Sequence, residues 1–110
     1  MKAEQKVVSD WIQTHGVRYF SELTNTVLLM EEVGELSRYI ARVYGEQSFK
    51  ESEKALDINS RIKEEMADIL FVLICLANQM NIDLDEAFKE SIHKKTQRDH
   101  KRHHDNEKLK

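Results

Sequence analysis

Leu29-Met30-Glu31-Glu32-Val33-Gly34-Glu35-Leu36 and Ile62-Lys63-Glu64-Glu65-Met66-Ala67-Asp68-Ile69 are two versions of one pattern. In each, apolar residues recur at alternating spacings of four and three. Beside them stand a pair of acids, then a third acid three residues on. Apolar spacing of this kind marks helices that pack side by side along a seam. At about 100° per residue, Glu32 and Glu35 lie on one flank of the Leu29/Val33/Leu36/Ile40 stripe, and Glu31 points further out. Glu65 and Asp68 hold the same positions beside the second stripe, with Glu64 outside them. The pattern predicts an all-α domain in which two neighbouring helices bring Glu32, Glu35, Glu65 and Asp68 together.

Carboxylates crowded in this way repel one another unless they are protonated or share a cation. An acid pair at i, i+3 occupies one helix face. Two such pairs form a set of hard oxygen ligands with room left for water and substrate. No Cys or His joins them, so the set suits Mg²⁺, or Mn²⁺, rather than Zn²⁺. The competing view is that the acids only solvate a helix surface. Their position beside the core-facing stripe, rather than on the outer face, argues against it.

Composition agrees with a helical fold. The chain has 110 residues, of which 40% are apolar and 34% charged, with three Gly and no Pro to interrupt long periodic stretches. One domain over residues 1–100 is expected, followed by a charged, disordered tail at 101–110. The lone Cys75 cannot form an intramolecular bridge and reads as a buried thiol in a reducing compartment. Met1 to Asp10 lacks the apolar core of a signal peptide. The longest apolar run, Ile69 to Ala77, is shorter than the roughly 20 residues that cross a bilayer. A soluble cytoplasmic protein with no membrane partner is the expectation.

The net charge of −3 is unevenly spread: residues 93–110 carry seven Lys/Arg against three Asp/Glu, which is +4 and leaves −7 for the rest. That basic end has no interleaved aromatic residue and no recognisable nucleic-acid motif, so sequence-specific nucleic-acid binding is not expected.

Four helices are predicted. The first covers about Ala3 to Thr14 and ends at His15-Gly16. Val17 to Leu23 then packs down onto the core. The second helix starts at Thr24 or Asn25, both credible N-caps, and runs to Tyr44 with Gly45 as its C′ residue. Glu46 to Asp57 is a surface loop with one short helical turn. The third helix runs from Ile58 to Met80. It is apolar on every face from Ile69 to Ala77, so it is either the centre of the monomer or part of a subunit interface. Asn81 ends it in a left-handed conformation. Asp83 caps a fourth helix that buries Leu84, Ala87, Phe88 and Ile92 and continues to about His100.

Glu31-Glu32-x-x-Glu35 followed by Glu65-x-x-Asp68 resembles the EExxE…ExxD signature of the MazG-like all-α nucleoside triphosphate pyrophosphohydrolases. The similarity extends through Leu28 to Leu36, Glu65 to Leu70, and Asn81-Ile82-Asp83-Leu84 with the helix that follows. It covers most of residues 24–98, and the segment between Glu35 and Glu65 is long for the family. The resemblance implies a four-helix bundle completed by oligomerisation, as a homodimer or homotetramer. It also implies Mg²⁺-dependent cleavage of a nucleoside triphosphate, ribo or deoxy, to the monophosphate and pyrophosphate, in nucleotide-pool control or house-cleaning.

On this reading Glu32, Glu35, Glu65 and Asp68 are the metal ligands, and Glu31 is a candidate to position the attacking water or serve a second ion, against the alternative of a solvated surface Glu. The inner stripe of the fourth helix continues as Lys95, Arg98 and Arg102, and Lys95 and Arg98 are the candidate phosphate-binding residues. Trp11 and His15 are candidates for contact with the base, but a buried core role is the stronger reading of the indole.

Two other readings compete. A carboxylate-bridged di-iron bundle would need two Glu-x-x-His motifs, and only Glu90-Ser-Ile-His93 is present. A non-catalytic helical oligomerisation module could keep the acids as a remnant.

Overall fold

In a computed structural model that describes residues 1–54 and 57–110, Asn25 meets Gln79 and Glu32 meets Asp68. These two pairings place the second and third helices antiparallel. Helix α2 spans Glu22–Tyr44 and α3 spans Ile58–Gln79, and they form the dominant packed pair. Helix α1, Lys2–Trp11, lies against the C-terminal half of α3. There Val8 and Ile12 join Ile74 and Cys75 in the core, with Tyr19, Phe71 and Leu84 packed around them. Among the described residues there is no strand, and no single helix is long and apolar enough to cross a membrane.

The first helix does not stop at Thr14. It widens into one π-helical turn over Ile12–Gly16 and ends in a tight reversal at Val17 (φ 67°, ψ −55°), where the Arg18 N–H reaches the Gly16 carbonyl at 2.7 Å. A positive φ is costly for a β-branched side chain, and π-turns occur often at functional sites. The segment after it packs down less than expected. Tyr19 is half-buried, but Val17, Phe20 and Leu23 are exposed.

The start of α2 also differs from expectation. Ser21 is the cap, its hydroxyl accepting from the Thr24 N–H at 3.2 Å, and the helix begins at Glu22. Asn25 therefore lies inside the helix, where it is buried. At the other end, Gly45 is extended rather than left-handed (φ −106°). A Cβ there would sit 2.5 Å from the Ala41 carbonyl oxygen, so only glycine allows this close approach. The connecting segment includes a 3₁₀ turn, Glu51–Glu53, tied to α2 by the Arg38–Glu53 ion pair. Ala55 and Leu56, within the predicted surface loop, lie outside the described residues.

Helix α3 ends as the local sequence requires. Asn81 is left-handed at φ 55°, and the Asp83 carboxylate caps α4, Leu84–Asp99, by accepting from the Asp85 and Glu86 N–H groups at 2.9 and 3.3 Å. Asp83→Ala should cost about 1 kcal/mol, read as a lower midpoint in urea denaturation followed by circular dichroism. Past this corner α4 turns 104° away from α3. Leu84 stays half-buried at the corner, but Ala87, Phe88 and Ile92 are exposed, contrary to the predicted burial. The helix carries an apolar face, and nothing among the described residues covers it. Beyond it, residues 100–105 form turns and Glu107–Leu109 a 3₁₀ turn.

The result is an open molecule. Its radius of gyration is 18.0 Å, against about 13 Å for a compact domain of this length. Among the described residues, no large side chain is less than 2% exposed.

Candidate metal centre and the adjoining cavity

The α2–α3 seam brings three carboxylates together. Glu32 from α2 and Glu65 and Asp68 from α3 each offer an oxygen, and these oxygens lie within 4.8 Å of one another. Glu32 and Glu65 are half-buried and Asp68 is exposed. Glu65 Oε2 is sealed from solvent, and no hydrogen-bond donor reaches it. The cluster is thus a set of acceptors with nothing to accept from, which is costly in a protein interior unless a proton or a cation is present.

The electrostatics reflect this. A proton shared with Glu32 is the main reason the Glu65 carboxyl titrates far above its ordinary range, at about 7. Burial and the charges of Glu32, Asp68 and Glu35 add to that effect. Asp68, although exposed, is also pushed upward, first by the partial loss of solvent around its carboxyl and then by Glu32 and Glu64.

A carboxyl whose pKa is higher in the folded chain than the 4.5 of a free Glu side chain stabilises the fold while protonated. That contribution is fully present below about 4.5 and is lost as pH rises through about 7. The carboxyls held low by their partners, such as Glu53 beside Arg38 and Asp99 beside Arg98, lose their contributions only at more acid pH. In chelator, the melting temperature of the protein should therefore fall between pH 5 and pH 7.5. A flat profile would remove Glu65 from the buried cluster.

Glu35 is exposed and lies outside the trio, although its charge bears on Glu65. Glu31 is exposed one residue before Glu32. Glu64 turns outward to Arg61 at 3.7 Å, which leaves Glu65 as the inward member of that acid pair. Lys95 and Arg98 do not join the acids within one chain. Lys95 Nζ donates to Ser91 Oγ at 2.6 Å, and Arg98 is held by Asp99 at 2.7 Å, both on the diverging α4.

One turn along the groove from the acids is a cavity of about 310 Å³, walled by Trp11, Tyr19, Phe20, Leu28, Phe71 and Val72. Leu28 precedes Glu32 by one turn, and Val72 follows Asp68 by one turn. Trp11 is 49% exposed, so it is not the core residue its apolar neighbours suggest. It stands edge-on to Phe71 with ring centroids 5.6 Å apart, and His15 lies 5.5 Å away. Asn25 and Arg18 also line this cavity, and neither stood out in the sequence as a site residue. Asn25 carried the signal of a helix cap, and Arg18 that of a loop.

Comparison with known proteins agrees with this architecture. Residues 20–103 match the family model of the MazG nucleotide pyrophosphohydrolase domain. YpjD from Bacillus subtilis (strain 168), an uncharacterised protein, is 40% identical over 99 residues, covering 90% of this chain and 86% of the relative. The crystal structure of Bacillus subtilis YpjD matches with a TM-score of 0.74 at 40% identity, over 90% of this chain and 95% of that one. The crystal structure of the Bacillus-conserved MazG protein, a nucleotide pyrophosphohydrolase, matches with a TM-score of 0.69 at 39% identity. That match spans 84% of this chain and 85% of the other.

Proposed function

The chain belongs to the MazG family and is a hydrolase acting on nucleotides, and from that premise we propose that it is a Mg²⁺-dependent nucleoside triphosphate pyrophosphohydrolase. It converts a ribo- or deoxynucleoside triphosphate to the monophosphate and pyrophosphate, in nucleotide-pool control or house-cleaning.

The observation that carries this reading is the convergence of Glu32, Glu65 and Asp68 around a sealed carboxylate oxygen without a donor. An all-oxygen set of this kind fits a hard divalent cation, Mg²⁺ or Mn²⁺. Those three side chains would hold the ion, and the exposed Glu35, whose charge already bears on Glu65, is the further candidate ligand. A bound divalent cation supplies neutralisation of the triphosphate oxygens and acidification of a water molecule.

The chain's own residues do the rest. The exposed Glu31 carboxylate, adjacent to Glu32, orients the attacking water and accepts its proton. As water bonds to the α-phosphorus, the bond to the bridging oxygen breaks and pyrophosphate leaves. Lys95 and Arg98 neutralise phosphate charge once a second copy of the chain has brought α4 against a neighbouring groove, in a homodimer or homotetramer.

The di-iron alternative draws no support from the geometry, since Glu90 and His93 are exposed on α4, outside the acid cluster. A non-catalytic module is separated by assay. Incubating the protein with Mg²⁺ and a panel of ribo- and deoxynucleoside triphosphates should release pyrophosphate as the direct product. Direct release of orthophosphate, or no turnover with any member of the panel, overturns the proposal.

A further inference from the structure

The aromatic-walled cavity contains a buried polar side chain, Asn25, at 4% exposure. A chain of hydrogen bonds that begins at an unambiguous acceptor fixes its amide orientation. The Phe20 carbonyl can only accept, so Gln79 turns its Nε2 toward it. Gln79 Oε1 is then free to accept from Asn25 Nδ2 at 2.8 Å. Asn25 Nδ2 makes its second contact with the same Phe20 carbonyl at 3.4 Å. Both N–H groups of Asn25 are thus engaged. Among the described residues nothing donates to Oδ1, and it is not one of the side-chain atoms sealed from solvent, as Glu65 Oε2 is in the seam. Asn25 thus lines the cavity with its Nδ2 engaged and its Oδ1 left as an acceptor without a donor.

We propose that Asn25 Oδ1 reads the nucleobase, accepting from an exocyclic amino group, so that the protein favours bases with an amino group on the six-membered ring. Cytosine and adenine carry that group where uracil and hypoxanthine carry a keto oxygen. The proposal rests on the nucleotide reading above and names its substrate class. Asn25 precedes Glu32 by seven residues, two helical turns on the same face, a rise of about 10 Å. A nucleoside is long enough to bridge from this cavity to an α-phosphate at the acids. The rings of Trp11, Tyr19, Phe20 and Phe71 give the base its stacking surface. A keto oxygen in place of the amino group would set acceptor against acceptor in a buried pocket, with no proton between them.

The test compares isosteric pairs on the full-length protein: dCTP against dUTP, and dATP against dITP, with Mg²⁺. The amino member of each pair should have the larger kcat/KM by a factor of about ten. Binding of dCMP against dUMP is measured by calorimetry on the same samples, and there too the amino member should be the tighter. Asn25→Leu, checked for retained helicity, should bring both ratios close to one.

Hydrolysis without preference, or with the keto member ahead, overturns the assignment and leaves the pyrophosphohydrolase reading standing. Tighter dCMP binding with no hydrolysis of any triphosphate supports the assignment and sinks that reading. Absence of both binding and turnover overturns the two together.

Discussion

Glu65→Gln should lose Mg²⁺-dependent turnover by a factor of about 10³ or more in kcat/KM, while the metal-free protein melts at a higher temperature than the parent at pH 8. The two effects have opposite signs for one reason. In the folded chain Glu65 faces Glu32, with Oε2 sealed and no donor near, and its carboxyl titrates at about 7. At pH 8 it is ionised against that resistance, so the metal-free fold carries an unfavourable charge. A neutral amide of nearly the same shape removes the charge and stabilises the metal-free fold. The same change removes an anionic member of the proposed metal site, and a loss of 10³ corresponds to about 4 kcal/mol of transition-state stabilisation.

A merely structural role for Glu65 could not raise stability while destroying activity. Mg²⁺ should stabilise the parent by mass action, by roughly 2.7 kcal/mol at a hundred times its dissociation constant, and should leave the variant unmoved. Asp68→Asn should behave alike, because Asp68 is also pushed upward by partial loss of solvent and by Glu32. Turnover at the parental level in either variant removes the metal centre.

The parts of this molecule that could be read in its sequence are those decided within a few residues. Helix α3 begins at Ile58 because Asp57 caps it, accepting from the Ser60 N–H, and it ends where Asn81 turns left-handed. Asp83 caps α4 for the same kind of local reason. Glu32, Glu65 and Asp68 were legible because 3.6-residue periodicity places them beside the apolar seam.

Glu35 was expected in the cluster and stands outside it. How far each helix rotates about its own axis is decided by the whole interface, and a linear pattern does not contain that rotation. Asn25 was missed because asparagine near a helix start ordinarily signals a cap. Ser21 took that role three residues ahead of Thr24, which left Asn25 one turn into the helix with its amide directed at Gln79 and Phe20. The burial of Phe88 and Ile92 was misjudged for a different reason. Periodicity identifies a face that needs cover, but not which molecule provides it.

That uncovered face leads to the other large effect. Met66, Leu70 and Leu73 on α3 are 53%, 44% and 41% exposed, and Phe88 on α4 is 66% exposed. If the protein worked as a lone chain, Leu73→Asp would be a surface substitution, worth less than about 0.5 kcal/mol. In the oligomer proposed above, the same change inserts a carboxylate into an apolar interface once per subunit. Burying an unpaired charge there costs several kcal/mol for each copy. We therefore expect Leu73→Asp to reduce the mass measured by light scattering to that of one chain, 13.0 kDa. The melting temperature should fall with it, because an extended monomer with an 18.0 Å radius of gyration retains little core of its own. Turnover should fall as well, since Lys95 and Arg98 on the diverging α4 reach no acid cluster within their own chain. A Leu73→Asp protein of unchanged mass and unchanged melting temperature would show that this face is not an interface, and the phosphate contacts would then have to come from elsewhere on the same chain.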